Sequence, residues 1–445
     1  MLKIQKKLVI TMIFSLTFFA QNILGQKFPS NISDYKNSVI YELNIRQYSQ
    51  SGKIAEVTKD LPRLKKLGVD IIWLMPIHPI GEINRKGSLG SYYSIKNYKA
   101  FNPEFGTLDD FITFVKEAHK YNLKVIIDWV ANHTSWDNEW IKTNPDFYTK
   151  DSLGRIVSPV PDWHDVADLN YNNKKLWDAM IDAMAFWIKT ADIDGFRCDV
   201  AGMVPTEFWI KAVKELNKIK PVFMLAEWET AEIHRAFNMT YSWDVYHKFN
   251  EIAKQQASFF TLDSLIKRQL KEYPKYAFRM NFITNHDENS WNGTEYERLG
   301  TIDAVKAFSV LYYTLPGMPL LYNGQEAALN KRLNFFEKDP IDWNNYPLAD
   351  FYSSLNELKH NNPALYNGKF KGSYNSYLLN PSVATFVRKN KNNSLFVIVN
   401  LSSKEQNITL PFDLKGTDLL NKNEIIYFKN QPINLLPFEY QVIKK

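Results

Sequence analysis

Short apolar runs recur along the chain and alternate with longer stretches whose apolar positions repeat at helical spacing. The runs fall at 39–43, 70–74, 124–130, 195–201, 222–226, 237–243, 279–284 and 319–322. Helix-like stretches such as 57–67, 108–121, 176–190, 207–218, 262–272 and 302–314 lie between them. Strand and helix in alternation imply parallel βαβ units, and eight such strands predict an α/β fold closed into a (β/α)8 TIM barrel. An open doubly wound sheet would carry a glycine-rich nucleotide loop after its first strand. Here the first run leads into Glu42-Leu-Asn-Ile-Arg46, which has no glycine.

Two segments break the alternation. Residues 133–170 are polar, carry Pro145, Pro159 and Pro161, and read as a short domain inserted after the third strand. Beyond Asn361-Asn-Pro363 the helical pattern stops, and strand-like pieces follow at 385–388, 394–400, 408–410, 424–428 and 440–443. Turn-separated strands of that length predict a small antiparallel β-sandwich. The division is then 1–25 leader, 26–132 and 171–362 barrel, 133–170 insertion and 363–445 C-terminal sandwich.

Composition narrows the class. Hydrophobic residues make up 45% and charged residues 23% of the 445, an ordinary globular balance that argues against disorder. Residues 1–25 begin with Lys3, Lys6 and Lys7 and continue into an apolar stretch at 8–20 that is short for a membrane span. They are read as a secretory signal cleaved after Ala20 or Gly25, which predicts an exported protein, periplasmic or secreted, with no membrane anchor after processing. The net charge is +6 with the leader and about +3 without its three lysines. No Lys/Arg block appears, so nucleic acid is not expected as a partner. Cys198 is the single cysteine, which rules out an internal disulfide and leaves core burial to hold the fold.

Four of the apolar runs end in acid-bearing segments: Asp128-Trp-Val-Ala-Asn132-His133, Gly195-Phe-Arg197-Cys-Asp199, Ala226-Glu227-Trp228 and Asn285-His286-Asp287. An unpaired carboxylate at the end of a buried strand is costly, and strand exits are where a βα barrel places reactive groups. Arg197 and Asp199 are two apart on one strand, so they emerge on the same side, and the guanidinium would hold the carboxylate ionised as a nucleophile. Taken alone, that pair could be an ordinary ion pair. Glu227 lies between an apolar run and Trp228, where desolvation raises a carboxyl's pKa and lets it serve as a general acid. One ionised and one protonated carboxyl are the equipment of retaining glycoside hydrolysis. Asp287 adds a third carboxylate that could grip hydroxyls and stabilise developing positive charge. A metal-hydrolase reading finds no paired histidines at helical spacing. Tyr93, Trp129, Trp228 and Trp291 lie near the motif loops and could stack on sugar faces.

The ordered set resembles the conserved regions of the α-amylase family of glycoside hydrolases. Ala167-Asp168-Leu169-Asn170 is similar to that family's short motif near the end of the inserted domain, and Gly90-Ser-Tyr-Tyr93 to the loop whose tyrosine stacks on the reacting sugar. The resemblance implies that Asp199 is nucleophile, Glu227 acid/base and Asp287 transition-state stabiliser. It also implies substrate contacts from Tyr93, Asp128, His133, Arg197 and His286. Asn132 and Asp168 match side-chain ligands of the family's calcium site, an ion not required for the chemistry. The implied activity is retaining hydrolysis of α-1,4 bonds in starch-derived glucans or maltooligosaccharides. Alternatives are α-1,6 cleavage or glycosyl transfer by the same chemistry, or a non-catalytic glucan-binding barrel; retention of all three carboxylates favours an enzyme. Many α-amylases carry a Lys-His pair three and four positions after the nucleophile, where this chain has Gly202 and Met203. That departure implies weak binding on the leaving-group side, and the short insertion implies an open cleft.

Overall fold

A computed structural model describes residues 34–445; the leader expected at 1–25 lies outside the described residues. Eight parallel strands close a barrel: β1 (Ile40–Leu43), β2 (Ile71–Leu74), β3 (Lys124–Trp129), β4 (Gly195–Cys198), β5 (Phe223–Ala226), β6 (Met239–Tyr241), β7 (Phe278–Asn281) and β8 (Met318–Tyr322). Each coincides with one of the eight apolar runs, β7 and β8 beginning one residue before theirs. Pairing follows chain order around the ring, and β8 returns to β1 with Leu320 opposite Ile40 and Tyr322 opposite Glu42.

The strands read as continuous apolar runs because both faces are covered. Ile40, Ile71, Trp73, Ile126, Leu225 and Met280 fill the barrel interior. Their neighbours Tyr41, Ile72, Val125, Ile127, Phe196 and Met224 pack outward under the helices. Those helices include α1 (Ile54–Leu67), α2 (Leu108–Lys120), α3 (Lys174–Ala191), α4 (Thr206–Leu216), α5 (Trp243–Ala253), α6 (Phe259–Glu272), α7 (Ile302–Thr314) and α8 (Ala349–Asn361). Strand alternation then decides what reaches the site. On β3, inward Ile126 predicts inward Asp128; on β4, outward Phe196 and Cys198 leave Arg197 inward. Cys198 is fully buried, and burial pushes its thiol up, as expected for a small hydrophobe rather than a reactive group.

Two runs end earlier than their apolar content suggests. The run at 195–201 stops as a strand at Cys198 because Val200 takes φ of 36° and the chain turns into a short 3-10 segment, Ala201–Met203. The run at 237–243 yields only Met239–Tyr241, since Trp243 opens α5. Within the insertion, His133–Ser135 pairs antiparallel with Val166–Asp168.

Past α8, a six-stranded antiparallel sheet runs in the order Ser373–Ser376, Val383–Asn390, Asn393–Asn400, Tyr440–Lys444, Leu414–Asp418, Asn423–Tyr427. A two-stranded ribbon, Gln406–Thr409 with Pro432–Leu435, forms a smaller second layer. Phe396 and Ile398 face the ribbon with Ile408 and Leu435, while Val397 and Val399 join the core beneath the barrel helices. The sandwich is therefore strongly unequal. Arg388 of the sheet donates to the Thr314 carbonyl at the end of α7 (2.7 Å), tying sheet and barrel together.

Asp194, just before β4, anchors the opposite end of the barrel. It accepts from the Val125 N–H (2.9 Å) and meets His119 Nε2 (2.7 Å), Lys220 (3.1 Å) and Lys124 (3.2 Å). Burial alone would raise its carboxyl, but these partners outweigh burial and hold it at about 2, against an ordinary 3.8. A depressed carboxyl stabilises the fold above its unfolded pKa and loses that contribution as pH falls through the folded value. Asp194→Asn is accordingly expected to cost on the order of 2 kcal/mol at neutral pH. Thermal melts should show the gap from the parent closing between about pH 4 and pH 2; a gap independent of pH would refute the electrostatic account.

Candidate active site

The inward residues at the carboxyl ends of β3, β4 and β5 converge on one guanidinium. Fully buried Arg197 places Nη1 2.9 Å from Asp128 Oδ1 and 3.1 Å from Asp199 Oδ1, and Nη2 3.1 Å from Glu227 Oε2. Its Nε donates to the Tyr241 hydroxyl at 3.1 Å, and Trp73 stacks against it at 5.0 Å. A planar fork with five donors can hold several carboxylates at fixed angles, which a lysine cannot. Left-handed Val200 has a purpose in this setting: its N–H donates to Glu227 Oε2 at 2.8 Å. A β-branched residue in that conformation costs about 1–3 kcal/mol, and the turn holds it there beside the acid.

A second chain of contacts crosses the barrel mouth from β1. Glu42 binds His286 Nδ1, and His286 Nε2 lies 2.7 Å from the Tyr93 hydroxyl and 3.3 Å from Asp287. Tyr93 in turn donates to Asp128 Oδ2 at 3.1 Å, where Trp73 Nε1 also donates at 3.2 Å. The Tyr93 ring lies near-parallel to His286 (5.6 Å) and to Phe335 (6.2 Å), which are 6.3 Å from each other, so the three rings form one cluster that fixes its orientation. His133 is buried beside these groups, edge-on to Trp163 at 5.4 Å.

Burial sets the protonation pattern. It lifts Glu227, with Asp199 and Asp287 adding to the rise and Arg197 opposing it, to about 7. Burial lifts Asp199 and Asp128 as well, but Arg197 restrains each to about 6. Glu227 thus keeps its proton to the highest pH of the three. For His286, burial disfavours the cation, yet Asp287 and Glu42 outweigh it and push the ring up to about 9. For His133 burial outweighs the raising effect of Asp165 and the Tyr93 backbone and lowers the ring to about 4, leaving it neutral near pH 7.

These groups open on a cleft of about 790 Å³ lined by Asp199, Glu227, Asp287, Tyr93 and His133. Aromatic walls from Trp163, Trp291, Phe335 and Phe336 complete it, together with Lys86 and Asp165. Every carboxylate expected at the site is there. Trp129 is not: it is fully buried against His78, Tyr98 and Phe196, because the outward parity of β3 turns it into the core. Trp228 is partly exposed and its indole lies on the backbone of Gly202, so any Cβ at 202 would fall inside the ring. The leaving-group side is therefore bordered by an aromatic face where sequence reasoning found only missing side chains. Trp73, Tyr241 and Glu42 sit inside apolar strands and read as core; only their inward parity could have flagged them.

Asn132 and Asp168 lie close together, since His133 pairs with Asp168 across the insertion hairpin. Burial raises the Asp168 carboxyl and a hydrogen bond from Thr149 opposes it. Calcium takes about six to eight oxygens, of which one amide and one carboxylate are a minority. Among the described residues no group of three or more acids, histidines and cysteines is placed to hold a metal. Asn132 and Asp168 would supply an amide and a carboxylate oxygen to a calcium ion held there, and the chemistry below routes no step through it.

The family model for the α-amylase catalytic domain matches residues 26–153 and 161–242, and that for the α-amylase SusG C-terminal domain matches 383–440. The crystal structure of an α-amylase from Lactobacillus plantarum superposes with a TM-score of 0.84 at 30% identity, over 92% of this chain and 99% of that one. A noncanonic maltogenic α-amylase from Thermotoga neapolitana gives 0.84 at 29% identity, over 92% and 98%. The α-amylase of Haloarcula japonica is 27% identical over 412 residues and 87% of this chain, which spans 58% of that relative's length.

Proposed function

Because the chain belongs to the α-amylase family of glycoside hydrolases, we propose that it is an exported retaining hydrolase of α-1,4 bonds in starch-derived glucans or maltooligosaccharides. The observation that carries this reading is Arg197, which gathers Asp128, Asp199 and Glu227 while leaving Glu227 the most readily protonated. In the first step Asp199 attacks the anomeric carbon as Glu227 passes its proton to the glycosidic oxygen. The C–O bond breaks and a glycosyl ester on Asp199 forms. Water then attacks that ester, Glu227 takes up the water's proton, and Asp199 leaves as carboxylate.

In the transition state of each step positive charge develops on the sugar ring. Asp287 stands at the rim to stabilise it, and cationic His286 orients Asp287 and Tyr93. Neutral His133 lines the cleft and binds ring hydroxyls in this reading, with Tyr93 beneath the reacting sugar, while fully buried Asp128 holds Arg197 and Tyr93 in position. The amylase descriptions of the relatives support the α-1,4 preference, and the basic, apolar leader at 1–25 supports export.

The test is reducing-end release from soluble starch, followed by NMR of the first-formed product on a maltooligosaccharide. Retention requires the α-anomer to appear first. Initial β-product would overturn the role of Asp199, and no release at all would favour a binding barrel.

A further inference from the structure

The loop after β2 crosses the cleft mouth and is fastened on both sides. On one side Lys86 Nζ lies 2.9 Å from Asp165 Oδ1 and donates to the Asp162 carbonyl at 2.9 Å, both in the insertion. Asp165 is nearly buried and Lys86 only about a quarter exposed, so this pair is shielded from solvent more than a rim contact would be. On the other side Ser88 N–H donates to Glu337 Oε1 at 2.8 Å, its hydroxyl bonds the other Glu337 oxygen, and Leu89 N–H donates to the Phe336 carbonyl at 3.1 Å. Between the anchors the loop is braced from within, Arg85 donating to the Gly81 carbonyl at 2.8 Å and to that of Ile80 at 3.2 Å. Gly87 has φ of 62° and packs on Phe336, so the crossing is tight.

Lys86, Asp165 and Phe336 line the same cavity as Asp199 and Glu227. The acid marks the side on which the leaving group departs, so Glu227 and the Trp228 face border that side. Tyr93 belongs to the crossing loop itself and lies under the reacting sugar in the reading above, on which this inference rests. We propose that the strap from Asp165 through Lys86 and Ser88 to Glu337 closes the cleft on the glycone side. The enzyme then admits one or two sugars beyond the scissile bond and works inward from non-reducing chain ends.

The decisive comparison is maltoheptaose against maltoheptaose capped at its non-reducing end, with a cyclic glucan as a substrate that has no end. The parent enzyme is expected to hydrolyse free maltoheptaose at least about tenfold faster than either of the others. Early products from starch should be of one short size. Equal rates on capped, cyclic and free substrates would overturn the strap while leaving the hydrolase assignment standing. Failure to cleave any of them would instead remove the assignment. In a Lys86→Ala/Ser88→Ala variant with a cooperative melt, the preference for free ends should fall at least about fivefold. An unchanged preference in that folded variant would show that these anchors do not close the cleft, and the substrate comparison on the parent decides the matter if the variant does not fold.

Discussion

Asp199→Asn is expected to abolish turnover on maltooligosaccharides while leaving the melting temperature unchanged or higher. Asparagine keeps the size of the side chain and an oxygen that can accept from Arg197 Nη1, now at 3.1 Å. It cannot form the glycosyl ester, and each lost power of ten is about 1.4 kcal/mol of barrier. Loss of a nucleophile should cost several such steps. Stability is spared because Arg197 retains Asp128 and Glu227, and because one of the crowded carboxylates is gone. Asp199 also helps hold the proton on Glu227, so the Glu227 pKa should fall in the variant. Near-parental kcat/KM with an unchanged melting curve would sink the assignment.

Glu227→Gln is expected to separate a maltooligosaccharide from an aryl glycoside. General acid help is worth about 10²–10⁴-fold when the departing oxygen is a sugar hydroxyl. An aryl glycoside with an acidic phenol needs little of that help, so its first step should lose far less. Hydrolysis of the ester still lacks a base, and a rapid release of one equivalent of phenol followed by slow turnover should result. The pH profile should change as well. In the parent, activity is expected to fall on the acid side as Asp199 takes a proton and on the alkaline side as Glu227, raised further by burial and its carboxylate neighbours, loses one. The alkaline limb should vanish in the variant. Equal losses on both substrates, with that limb intact, would assign the acid elsewhere.

The barrel was legible because its strands are buried on both sides and so leave unbroken apolar runs, a pattern that half-exposed sheets do not produce. The carboxylates were legible because each breaks such a run at its end. Tyr241 and Trp73 were not, since an aromatic residue inside an apolar strand looks the same whether it fills space or supports a guanidinium. Lys86 and Asp165 are far apart in the chain, and only the folded loop brings them together. In the C-terminal sheet, Leu414–Asp418 buries just its two terminal residues and Pro432–Leu435 alternates exposed and buried, so neither stands out as an apolar run. The calcium expectation came from matching two positions; the count of surrounding oxygens belongs to the fold.

The contact between Gly202 and Trp228 constrains how this surface can change over time. A lysine at 202, the residue many family members carry, has room only once the part-exposed Trp228 indole turns aside or is made smaller. Shrinking 228 first uncovers the backbone turn after the nucleophile and removes an exposed aromatic face. Positions 202 and 228 are therefore expected to change together: Gly202→Lys should be tolerated better when Trp228 is made small than when it is left as tryptophan.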